Sequence, residues 1–220
     1  KRTEAALAEA HRILSASPAV AFTWEARPGW PVRFVTENVS RLLGYHRDDF
    51  LSGRISYAEL LHPEDRERVA REVQAAGADP ACRAFAHQPY RIVDSQGRVR
   101  WVRDDTAIVR DLEGGVTHFQ GIVLDVTAAR EAEAALQESE ARFRSLYENA
   151  AVGMVVADLQ GHFTSVNQAF AAMLGYRPEE LGGLHVREVS HPEEWPAEAA
   201  QIRRLTSGET DAVRLAKRFR

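Results

Sequence analysis

Few side chains in this sequence are placed to do covalent chemistry, and their neighbours assign most of those to structure. The single thiol, Cys82, stands in Ala78-Asp79-Pro80-Ala81-Cys82, a predicted loop between a helix and a strand. A redox sensor needs a lowered thiol pKa and a resolving partner, and the sequence holds no second cysteine. His62 and His191 each precede a proline and two acids, in His62-Pro63-Glu64-Asp65 and His191-Pro192-Glu193-Glu194. Proline and acids both suit a first helical turn, so these histidines are expected to make turn and capping hydrogen bonds. Paired carboxylates at Asp48-Asp49 and Glu179-Glu180 could act as acid and base, but they too fall in predicted first turns. No glycine-rich phosphate loop, Ser-His-Asp set or histidine-rich metal pattern occurs. The expected chemistry is recognition, not catalysis.

The elements that hold these residues come twice. Leu42-Leu43-Gly44-Tyr45-His46-Arg47-Asp48-Asp49-Phe50 returns as Met173-Leu174-Gly175-Tyr176-Arg177-Pro178-Glu179-Glu180-Leu181, and each copy is followed by its His-Pro-acid-acid turn. That period is too long for a solenoid and signals duplicated domains. With 220 residues, 45% hydrophobic and 27% charged content, the chain suits two small globular domains. A net charge of −4 gives no basic footprint for nucleic acid, and no apolar run reaches bilayer length. The polar start and the lone cysteine lead us to expect a cytoplasmic protein with no direct membrane insertion.

Within copy one, Thr3, Leu7, Ala10 and Leu14 recur at helical spacing, and Ser17-Pro18 ends that helix. Two strands are predicted between residues 20 and 36, and short helices at 38–43 and 47–51. A longer helix runs from Pro63 to Ala75. Strand pieces then arrive at Tyr90–Val93, Val99–Arg103, Ala107–Val109, Val116–Phe119 and Gln120–Leu124, joined by glycine-bearing turns that imply an antiparallel meander. After Asp125-Val126-Thr127 the period changes to helical, with Thr127 expected as the N-cap. Ala129, Ala132, Leu136, Ser139, Phe143, Leu146 and Ala150 alternate by three and four, an a/d seam flanked by Arg and Glu. Leu7, Leu14, Leu136, Phe143 and Leu146 are therefore the candidate dimer contacts, with docking onto one of its own domains as the alternative for that helix. The fold class is α+β. Its parts are an N-terminal helix at 1–17, a first domain at 18–127, a connector helix at 128–147 and a second domain at 148–220 that lacks the last strands of the meander.

These features resemble tandem PAS domains, the sensory boxes of bacterial signal-transduction proteins. The Leu-Gly-Tyr segments, the His-Pro-acid turns, and Gly97-Arg98-Val99-Arg100-Trp101-Val102 carry the likeness. So does Asp125-Val126-Thr127 running into Glu131-Ala132-Glu133-Ala134-Ala135-Leu136. The resemblance implies two PAS-like domains, each a five-stranded antiparallel sheet with flanking helices and a small-molecule pocket. Asp125 and Thr127 would couple the last strand to the signalling helix. We expect Phe34, Leu42, Phe50, Tyr90 and Val123 to line a pocket in copy one for a small apolar ligand.

Light-sensing relatives use a reactive cysteine where this chain has Gly53-Arg54-Ile55-Ser56-Tyr57, and a glutamine where it has Val123. Haem-binding relatives draw a histidine from the helix after the His-Pro turn. Neither Arg66–Ala75 nor Ala197–Leu205 contains one, and His185 has no supporting pattern. The expectation is no cofactor, with noncovalent flavin or haem left open. The implied function is a sensory and dimerisation module, itself non-catalytic, that feeds a downstream output domain. The parent would be a two-component sensor histidine kinase, a diguanylate cyclase being the alternative; a third reading is a cofactor-free protein-interaction module.

Overall fold

A computed structural model describes residues 9 and 12–220. The chain divides into two compact units, Lys1–Ala134 and Ala135–Arg220. Leu7 lies outside the described residues.

In the first unit, residues 12–16 are helical. Strands β1 (Ala19–Glu25) and β2 (Val32–Val35) follow, then helices α1 (Val39–Leu43), α2 (Arg47–Leu51), α3 (Tyr57–Leu60) and α4 (Pro63–Ala78). The remaining strands are β3 (Ala84–Ala86), β4 (Tyr90–Val93), β5 (Val99–Arg110) and β6 (Val116–Asp125), and helix α5 (Thr127–Glu148) comes next. The sheet is antiparallel in the order β2-β1-β6-β5-β3, with β4 also paired to β5. β4 pairs Val99–Val102 and β3 pairs Asp105–Ala107, along the same edge of β5. The two pieces act as one edge strand interrupted at His87-Gln88-Pro89, where proline supplies no N–H to a ladder. The expected five-stranded sheet is thus met, its third strand broken in two.

Three local expectations need correction. The segments at Val99–Arg103 and Ala107–Val109 form one strand, as do Val116–Phe119 and Gln120–Leu124. Asp104-Asp105, read as a break, continues the alternation instead: Val102, Asp104, Thr106 and Ile108 are buried between outward neighbours. Helix α3 and strand β3 were not anticipated.

The helices cover one sheet face, onto which Val20, Phe22, Trp24, Val102, Phe119 and Val123 project. Leu42, Leu43, Phe50, Leu61 and Val69 complete the core. Each such side chain contributes on the order of 1.5–3 kcal/mol by leaving water. The Leu-Gly-Tyr segment has a specific steric reason. Gly44 closes α1 at φ 73°, and a β-carbon there would collide with Ser95 of the β4–β5 turn, whose N–H donates to Leu43 O at 2.8 Å.

The second unit has its own core of Phe163, Val166, Phe170, Ala171, Leu181 and Val189. Its elements are β7 (Val155–Ala157), β8 (Phe163–Val166), α6 (Gln168–Leu174), α7 (Pro178–Leu181), α8 (Val186–Val189) and α9 (Trp195–Thr206). β7 and β8 pair antiparallel, and the bridge Ser190↔Phe219 repeats Leu61↔Ile92 of the first unit. Among the described residues no helix is long and apolar enough to cross a membrane.

Candidate sensing cavity and helix junctions

Each unit fixes the end of the helix that leads into it with one asparagine. Asn38, just before α1, donates to the carbonyls of Ser17 at 2.9 Å and Ala19 at 2.7 Å, and reaches Leu14 O at 3.3 Å. Asn167, just before α6, donates to Tyr147 O at 2.9 Å and Val152 O at 3.0 Å. Its own oxygen accepts from Met154 N at 2.8 Å and Phe170 N at 2.9 Å. Both side chains are buried, where an unmade hydrogen bond is costly. Sequence reading missed these residues, although both follow a strand and open the helix that leads to Leu-Gly-Tyr.

The exit from the first unit is a second joint. Asp125 accepts from the N–H of Thr127 at 2.8 Å and from Arg100 at 3.3 Å, while Arg100 also reaches Asp94 at 3.3 Å. Thr127 does not cap the helix as expected. Its hydroxyl accepts from Trp101 N at 2.9 Å, binding the helix start to β5, and Asp125 supplies the local cap instead. Arg130, one turn into α5, lies 4.3 Å over the Trp101 ring, and Arg91 of β4 lies 5.4 Å from the same ring.

The His-Pro-acid turns turn out to be clamps. Asp65 accepts from the backbone and side chain of Arg91 at 2.9 and 2.8 Å, and Glu64 binds the same guanidinium at 2.8 Å. The Arg91 bond is the main reason the Asp65 pKa falls to about 2. In the second unit Glu194 and Glu193 hold Arg218 in the same way, and the Arg218 bonds keep Glu194 below the ordinary carboxylate range. His62 N donates to Arg91 O at 2.9 Å and His191 N to Arg218 O at 3.0 Å. The histidine side chains cap neither helix.

Between the sheet and α3–α4 the first unit holds a partly open cavity of about 30 Å3. It is lined by Trp24, Trp30, Tyr57, Val69, Val73, His87, Tyr90, Asp104, Thr106 and Phe119. Asp104 is 3% exposed in the middle of an otherwise apolar sheet face. Tyr90 donates to it at 2.7 Å and Thr106 at 2.9 Å, and the Tyr57 and Tyr90 hydroxyls lie 2.7 Å apart. Burial pushes the Asp104 carboxyl up, against the opposing pull of His87 and the two hydroxyl donors. Burial also drives both tyrosines upward, with the Asp104 charge reinforcing it. His87 is tied to Glu72 of α4 at 2.5 Å. The indole N–H of Trp24 has no partner.

Of the residues expected in a pocket, Tyr90 lines this cavity, while Leu42, Phe50 and Val123 are buried in the core beyond it. Phe34 lies on the other face of the sheet. It pairs with Thr23, an outward residue of β1, and borders a groove with Ala21, Ala107 and Ile122. The cavity by itself is smaller than the ring system of a flavin or haem. Val123 offers a flavin no hydrogen bond, and α4 brings no histidine to a haem iron. Among the described residues no group of three or more His, Cys, Asp and Glu could hold a metal ion. Cys82 is half-buried in the turn before β3, near the Ala84 carbonyl. On the intended seam of α5, Leu136, Phe143 and Leu146 are 60, 66 and 68% exposed, and Leu14 is 39% exposed.

Comparison with known proteins agrees with this architecture. A family model described as PAS fold matches residues 32–123, and one described as PAS domain matches residues 141–206. A methyl sulfide methyltransferase-associated sensor of Methanosarcina acetivorans is 42% identical over 57% of this chain and 12% of its own length. The two-component sensor PprA of Pseudomonas aeruginosa is 32% identical over 86% of this chain and 20% of its own. The chain thus spans an eighth to a fifth of these relatives. The crystal structure of a sensory box histidine kinase/response regulator from Burkholderia thailandensis shares the fold, with a TM-score of 0.50 at 22% identity. It covers 63% of this chain and 99% of that one. The chain belongs to the PAS family and carries two of its domains in tandem.

Proposed function

We propose that this chain is the sensory and dimerisation segment of a sensor histidine kinase, and that it passes the state of the first domain's interior into helix α5. The observation that supports this most directly is the exit joint. The last strand of the sheet, β6, ends in Asp125, which holds Thr127 and Arg100, while Thr127 holds the backbone of β5. A shift in either strand therefore moves the start of the helix. The domains run over 18–127 and 148–220, joined by the 128–147 connector. A second copy of the chain covers the Leu136-Phe143-Leu146 seam, whose spacing suits a two-helix interface better than solvent. The lone, unpaired Cys82 favours a reducing cytoplasm.

The test uses the intact protein and no ligand. Thr127→Val and Asp125→Asn should change its basal autophosphorylation several-fold while each variant stays folded. Unchanged output in both would sink the coupling idea. GTP cyclisation in place of autophosphorylation would assign the output to a diguanylate cyclase and leave the joint itself intact.

A further inference from the structure

The first unit's interior limits the ligand it can sense. The partly open cavity of about 30 Å3 takes a small polar group and is too small for a ring. It is not sealed by backbone. Directly outside lies a groove of about 570 Å3 between α4 and the 26–31 turn, and Trp30, Val73 and Phe119 line both spaces. Three side chains therefore separate groove from cavity. Trp30 is the one residue other than glycine at positive φ among the described residues, at 48°. Backbone held in that region marks a place where local geometry is imposed by function or packing.

The hydrogen-bonding pattern inside is directional. Tyr90 has one hydroxyl proton and gives it to Asp104, so the bond between the tyrosines runs from Tyr57 to Tyr90. Tyr57 is left with a free acceptor position. Trp24, 5% exposed and 5.2 Å from Tyr57 by ring centroids, is left with a free donor. A group that bridges these two must accept from Trp24 and donate to Tyr57, which a hydroxyl does and a carbonyl or carboxylate does not. Charge points the same way. Asp104 disfavours an anion, and the two arginines of the groove are engaged: Arg66 with Leu61 O and Glu59 O, and Arg27 with Glu25.

We infer that the first domain binds a small uncharged alcohol or phenol. Its apolar body occupies the groove beside α4, and its hydroxyl passes Trp30 to bridge Trp24 Nε1 and Tyr57 Oη. This inference rests on the sensory reading above and names the ligand class for that domain. The probe is 4-ethylphenol, with ethylbenzene and benzoate as comparisons, titrated calorimetrically into the full 220-residue chain. 4-Ethylphenol should bind about tenfold more tightly than ethylbenzene, the value of roughly one buried hydrogen bond, and benzoate should bind no better than ethylbenzene. Trp24→Phe and Tyr57→Phe should each remove that preference, bringing 4-ethylphenol and ethylbenzene to equal affinity. Val73→Trp, which fills the groove, should abolish binding of both. If one of the two phenylalanine variants does not fold, the other still reads the same bridge. Equal affinity for 4-ethylphenol and ethylbenzene, tighter binding of benzoate, or no saturable binding of 4-ethylphenol would each overturn the assignment. The joint variants, read without ligand, decide the sensory proposal separately.

Discussion

Replacing Asp104 tests the energetics of the domain interior most sharply, because two substitutions of similar size should act in opposite directions. Asp104→Asn keeps an oxygen to accept from Tyr90, and its amide can donate to the Thr106 hydroxyl, so both hydrogen bonds survive. What changes is the cost of holding a charge at a site that is 3% exposed. Burial raises the folded-state pKa of Asp104, so its contribution to stability is present below the ordinary carboxylate pKa and is lost as pH rises. Every unit of that shift is worth about 1.4 kcal/mol at pH values above it. Asp104→Asn should therefore melt with the wild type near pH 4 and several degrees above it at pH 8. Asp104→Leu instead orphans two donors, at roughly 1–3 kcal/mol each, so it should lose about 2–6 kcal/mol near pH 4, a loss that removal of the charge partly offsets at pH 8. Against a whole-domain stability of about 5–15 kcal/mol, that loss is close to unfolding. Calorimetric melts of the three proteins from pH 4 to 8 supply the answer. An Asn variant less stable than wild type at pH 8 would refute the reasoning, since the carboxylate would then be favoured as an anion.

Asp94, its side chain 1% exposed in the β4–β5 turn, behaves in the reverse sense. Burial opposes its ionisation, but the N–H groups of Arg98 and Gln96 and the guanidinium groups of Arg98 and Arg100 outweigh it and hold the pKa at about 2. Its stabilisation is present above the ordinary carboxylate pKa and lost as pH falls toward 2. Asp94→Asn should melt below wild type at pH 6, with the gap closing by pH 2; a gap that persists in acid would contradict it. Leu136→Glu with Phe143→Glu should convert a dimer to a monomer in sedimentation, and a double variant that still sediments as a dimer excludes α5 as the interface. A β-carbon on Gly121 would sit 2.5 Å from the Trp24 ring and 2.8 Å from Thr106 Oγ1. Gly121→Ala should accordingly cost about 1–3 kcal/mol and alter indole fluorescence, while an unchanged melt would mean the ring lies elsewhere.

The parts of the fold that were legible in the sequence are those set by local chemistry. Runs of β-branched and aromatic residues marked β1, β4 and the two pieces of β6, and glycine-bearing turns marked the hairpins. The period change after Asp125 marked α5. What escaped depended on neighbours far along the chain. The acids of the His-Pro turns look like helix-dipole residues until Arg91 arrives from the sheet edge and Arg218 from the C-terminal segment. Asp104 and Thr106 were legible in principle, since extending the alternation from Val102 to Ile108 puts both inward, but they fell between two strand pieces read separately. Phe34 was assigned to the interior because it is large and apolar. Its face is set by pairing with Thr23, beside a register shift at Thr23/Trp24 that hydrophobicity does not report.

The repeated clamp also says something about how such modules diverge. Arg91 and Arg218 are held by acids at equivalent positions, Glu64 and Asp65 in one copy and Glu193 and Glu194 in the other, and each neighbours a different inward residue. Tyr90 joins the hydroxyl chain to Asp104, whereas Lys217 pairs with Glu198 and Ser190. Frame and interior are thus written in separate, adjacent residues, Tyr90 beside Arg91 and Lys217 beside Arg218. Substitutions at interior positions can change what a copy recognises while the parts that fasten helix to sheet stay as they are. Duplication of such a unit yields distinct interiors on a common mount, and a chimera that swaps only the inward residues should keep the mechanical behaviour of its host.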